Sequence, residues 1–121
     1  MSNAVSNTPE SAVAAFMQAW QAQDWDKMIE ACQLTWRASP AGNTETLRLR
    51  FGSMVPPAST KIIKINPVGT AVTDVYVAFD HALPLPGAIT MRLRTVCETG
   101  PYQPSIDGTW GVNPVSAKGV D

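Results

Sequence analysis

The chain has 121 residues, 45% of them hydrophobic and 16% charged, which is enough apolar material for one buried core and excludes a disordered chain. Nine basic residues against ten acidic ones leave a net charge of −1, which argues against non-specific nucleic-acid binding, because displacing counterions needs a basic surface. No apolar run approaches the ~18 residues of a membrane span, and the opening "MSNAVSNTPE" lacks the basic start and apolar stretch of a secretory signal. Residues 1–121 are therefore expected to form a single cytoplasmic domain, with export the alternative if a signal segment once preceded them.

Residues 8–22 carry a helix pattern. Thr8 suits the cap, Pro9 the first helical position, and Val13, Phe16, Met17 and Trp20 fall on one stripe. Asp24 restarts the pattern for a second helix with Trp25, Met28, Ile29 and Cys32 on its apolar side, so the two are expected to form a hairpin. "RASPAGNT", residues 37–44, reads as a loop. "TETLRLRFGSM" fits a strand through Leu47, Leu49 and Phe51, and equally a helix capped by Asn43 or Thr44 through Leu47, Phe51 and Met54. From residue 59 the period becomes 2. Strands are expected in "TKIIKINP", "AVTDVYVAFD", "AITMRLRTVCE" and around Trp110, with a Pro-rich loop at "HALPLPG", a long connection at "TGPYQPSIDG" and a polar tail after Pro114. Asp107-Gly108 is expected to turn because glycine accepts positive φ. Two or three helices followed by four antiparallel strands define an α+β domain with the helices on one face.

"TPESAVAAFMQAWQAQDWDKMIEAC" at the front and "DGTWGVNP" at the back resemble the nuclear-transport-factor-2-like, or cystatin-like cone, superfamily. The resemblance spans nearly the whole chain on short motifs. It implies a curved sheet, a third short helix over residues 44–53, and Trp110 as an inner-face aromatic plugging the wide end of the cone. The superfamily holds ketosteroid isomerases, dehydratases and many non-catalytic binding domains, so the residues inside the cone must decide between them.

Strand parity separates those residues. Val75, Val77 and Phe79 share one face with Ile89, Met91, Leu93, Thr95 and Cys97, while Asp74, Tyr76, Ala78 and Asp80 share the other with Arg92 and Arg94. The apolar helix stripes must meet the apolar face, which places the ionisable groups outside. The expected ligand pocket is then Trp20, Trp36, Phe79, Met91 and Trp110. The expected interface is Asp74, Tyr76, Arg92 and Arg94, through which cone-fold relatives commonly dimerise.

An enzyme of the isomerase or dehydratase kind would have to draw on rim groups. The candidates are His81 beside Asp80, Tyr76 as an oxyanion donor, and Glu98 and Tyr102 at the cone mouth. His81 and Asp80 point to opposite faces of an extended chain, and Glu98 and Tyr102 read as polar rim. Cys32 and Cys97 have no metal spacing and read as buried thiols. The sequence thus points to a non-catalytic domain without metal or cofactor that binds an apolar small molecule or a protein partner as a homodimer, with the enzyme as the alternative.

Overall fold

The computed structural model describes residues 8–53, 60–79 and 90–120. Four helices come first. α1 (Pro9–Ala22) opens on a capping box, in which Thr8 Oγ1 accepts from the Ser11 amide at 3.0 Å and Ser11 Oγ accepts from the Thr8 amide at 3.3 Å. It closes on Gln23, held in the left-handed region at φ 53°. Asp24 then caps α2 (Trp25–Glu30), accepting from the Lys27 amide at 3.2 Å, and α2 folds back against α1. α3 (Leu34–Ala38) takes Arg37 and Ala38 out of the expected loop. α4 (Thr44–Phe51) resolves the ambiguous segment as helix, because Asn43 Oδ1 accepts from the Thr46 amide at 3.0 Å and its 3.6-residue spacing buries Leu47 and Phe51.

Among the described residues the sheet is antiparallel with six strands rather than four: β1 (Thr60–Gly69), β2 (Val72–Phe79), β3 (Thr90–Gly100), β4 (Gln103–Pro104), β5 (Thr109–Val112) and β6 (Lys118–Val120). β3 pairs with β2, β4, β5 and β6, while β1 pairs only with β2. The additional strands follow from length. β3 has 11 residues and β5 has four, so β5 covers only Thr95–Glu98 and leaves the start of β3 without a partner on that edge. Pro114 opens a single 3-10 turn instead of ending the order, Asn113 Oδ1 caps it at the Val115 amide, and the tail returns to pair with Thr90–Arg92. The long connection likewise folds back as β4 against the end of β3.

The inner face of β2 and β3 meets the helices as expected. Val75 lies opposite Leu93 and Val77 opposite Met91, all buried with Val13, Phe16, Trp20, Met28, Leu47 and Phe51. Trp20 stands edge-on to Phe51 with ring centroids 5.2 Å apart, and its Nε1 donates to the Phe51 carbonyl at 3.2 Å, satisfying an acceptor that the end of α4 leaves open.

Helices and sheet are stitched at β5. The Val112 amide donates to Ala31 O and the Gln33 amide to Val112 O, both at 2.8 Å, which forms a parallel bridge along the outer edge of β5. Gly111 permits this approach, since a Cβ there would stand 2.7 Å from Cys32 O and from Gln33 Cα. Gly108 also answers to crowding rather than to positive φ: its backbone is not left-handed, and a Cβ would stand 2.2 Å from the Glu98 carbonyl. Gly111→Ala should cost about 1–3 kcal/mol, as overpacking against backbone does. A urea unfolding midpoint unchanged from wild type would show that the bridge at Val112 is not tight.

Candidate functional site

On the face turned away from the core, the register builds one row of side chains across four strands. Lys64 lies opposite Tyr76, Tyr76 opposite Arg92, and Arg92 opposite Lys118. Residues directly opposite in a sheet share a face, so these four are neighbours. Lys64 Nζ sits 5.2 Å from the Tyr76 ring centroid, in cation–π range. Lys61, opposite Ala78, belongs to the same face. In a regular strand, residues three apart point to opposite faces. The register shift between Ile62 and Lys64 inserts Ile63 as an extra residue and brings both lysines to one side.

Within this row Arg92 Nε is buried and has no hydrogen-bond partner. The nearby Asp74 is already engaged, because Arg94 Nε donates to Oδ1 at 2.8 Å and Arg94 Nη2 to Oδ2 at 3.1 Å. The Arg94 hydrogen bonds hold the Asp74 carboxyl below the usual carboxylate range, outweighing the opposite push of burial. Asp74 lies on the outer face, as strand parity implies, yet it is 4% exposed with Arg94 over its carboxylate.

Glu98 is corrected further. Parity marks it as polar rim, yet it is 2% exposed. Its Oε1 accepts from the Thr35 amide at 3.0 Å and its Oε2 from the Thr35 hydroxyl. Thr35 Oγ1 in turn accepts from the Tyr102 amide at 2.8 Å. Tyr102 is itself exposed, with φ 63° in the turn between β3 and β4, a left-handed position that glycine usually fills. A buried carboxylate thus joins α3 to the sheet and steadies that turn. Sequence reasoning overlooked Thr35, Lys64 and Lys118. Thr35 carries no local signal, since its partner is 63 residues away. The signal for Lys64 was the unequal spacing of lysines in "KIIKI", which a bulge makes one-sided.

Three of the residues expected to line a ligand pocket, Trp20, Trp36 and Met91, belong to the core. Trp20 and Met91 are buried within it, Trp36 is 7% exposed on α3, and Trp110 packs half-buried against it, opposite Cys97 on the inner face. Phe79 pairs with Thr60 at the end of β2, and its side chain lies outside the described residues, as do Asp80 and His81. Two described grooves, of about 450 and 400 Å³, open elsewhere, around Gln23, Trp25 and Arg48 where the turn between α1 and α2 meets α4. Glu45 pairs with Arg48 there.

Both cysteines are free and buried. Burial pushes the Cys32 thiol up to about 12 and raises that of Cys97, so neither offers a thiolate at neutral pH. Among the described residues no group of three or more His, Cys, Asp or Glu could hold a metal ion, and no described helix is long and apolar enough to cross a membrane. No protein-family model, no curated protein and no solved structure matches the chain. What the described residues define is an α+β domain whose sheet carries a cationic outer row.

Two predictions follow from these bonds. Glu98→Ala leaves the Thr35 amide without its acceptor and should cost about 1–3 kcal/mol, the usual penalty for an orphaned buried donor. An unfolding curve within error of wild type would remove Glu98 from this structural role. Asp74→Asn should cost about 1 kcal/mol at neutral pH, given that Arg94 is partly solvated. Because the folded Asp74 pKa is depressed, its contribution is full above the unfolded value near 3.8 and is lost as pH falls through the folded one. The difference in urea midpoint between wild type and Asp74→Asn should therefore shrink below about pH 4. A gap that stays constant into acid would assign the effect to packing.

Proposed function

We propose that this chain is a non-catalytic binding domain that engages a protein partner through the outer face of its sheet. One observation carries the reading: Lys61, Lys64, Tyr76, Arg92 and Lys118 share that face. Tyr and Arg are also the side chains enriched where proteins meet. The two carboxylates of the described strands have internal duties, Asp74 with Arg94 and Glu98 with Thr35. The order of helices followed by an antiparallel sheet, with the Trp110 strand on the inner face, agrees with the resemblance to nuclear-transport-factor-2-like binding domains.

Lysine reactivity tests the location of the surface without knowing the partner. Lys27 lies on α2, away from the sheet, and is the internal reference. In an extract of cells that make the protein, Lys64 and Lys118 should acetylate more slowly than in the purified chain, with Lys27 unchanged. Equal labelling of Lys64 and Lys118 in both settings would refute the partner surface.

A further inference from the structure

The chemistry of the outer row narrows what can dock on it. The described strands contain two carboxylates, Asp74 and Glu98, and each is taken inside the chain, by Arg94 and by Thr35. Lys61, Lys64 and Lys118 are left without a carboxylate partner among the described residues, and Arg92 acts on Asp74 by its charge without a salt bridge to it. From the structure we infer that the element docking on this face is an extended acidic segment of a partner protein, lying across the strands with its carboxylates over Lys64, Arg92 and Lys118. The inference rests on the reading of this face as the partner surface and adds the chemistry of what binds there.

Spacing supports an extended segment. Lys64 and Lys118 are separated by three strand-to-strand steps, ~14 Å at the usual interstrand distance. Carboxylates at alternate positions of an extended chain span nearly the same distance over four residues, ~13–14 Å, and all point to one side. Such a segment sets one carboxylate near each cation. Arg92 is the anchor of the row, because its fork can hold a carboxylate at two points while the flanking lysines add point charges.

The two other occupants fit less well. A second copy related by a two-fold axis through the row would set the cations of the two rows against one another, and like charges juxtaposed at an interface repel. Asp74 cannot relieve this, since its own Arg94 holds it. A nucleic acid would extend well past the row and sense the field of a chain whose net charge is −1. A short acidic segment stays within the row of cations.

Fluorescence anisotropy of a labelled peptide alternating Glu and Ser, about ten residues long to cover the row, tests the inference against the full chain. Binding should weaken between ~50 mM and ~300 mM salt, as exposed charge pairs do. Arg92→Gln should lower affinity about tenfold, as should Lys64→Gln combined with Lys118→Gln, while Lys27→Gln leaves it unchanged. The paired lysine variant alters only exposed side chains, so it reads the surface even where Arg92→Gln disturbs the fold. Affinity indifferent to both sheet variants overturns the inference. So does single-stranded DNA of equal charge binding more tightly with the same dependence, or a purified chain that sediments as a dimer with Lys64 and Lys118 already shielded. If those lysines are protected in cell extract while the acidic peptide does not bind, the partner surface stands and its acidic chemistry fails. If they are not protected, both fail.

Discussion

Seven consecutive pairs, from Val72↔Val96 to Ala78↔Thr90, lock β2 to β3, and both the core and the outer row depend on that register. Side chains alternate with a period of two, so a slip of β3 by one residue against β2 would carry Arg92 and Arg94 to the helix side and Met91 and Leu93 into water. The apolar stripes of α1 and α4 make that slip prohibitive, because a buried unpaired charge costs far more than the pairing returns. The same constraint that fills the core therefore lines up the cations outside it.

Two long-range connections hold the helices to this sheet. At β5, backbone exchange between Val112 and residues 31–33 covers an edge that would otherwise be open, and Gly111 makes room for it. At the end of β3, Glu98 receives Thr35, which receives the Tyr102 amide, so a carboxylate that resembles a catalytic candidate serves as mortar. The left-handed Tyr102 is tolerated because that contact over-determines its turn.

Charge is partitioned accordingly. The described helical region holds Glu10, Asp24, Asp26, Glu30 and Glu45, whereas the two carboxylates of the strands are both sequestered. A net charge of −1 for the whole chain thus conceals a sheet face that is positive. The bulge at Ile63 sharpens this by turning Lys64 to the side of Lys61, at the expense of leaving Ile63 about half exposed.

Local pattern was enough wherever neighbours in the chain do the deciding. The caps at Thr8 and Asp24, the apolar stripes of α1 and α2, and the faces of β2 and β3 are all legible, because capping, helical periodicity and strand alternation act over a few residues. The α+β order and the outward placement of Tyr76, Arg92 and Arg94 were therefore determined by the sequence alone. Tertiary structure alone decided that the tail returns as β6, that Glu98 is buried under Thr35, that Asp74 is closed by Arg94, and that Lys64 and Lys118 complete the row. Each of these depends on a partner at least about 12 residues distant in the chain or on a bulge that resets parity, and neither leaves a period in the sequence to read.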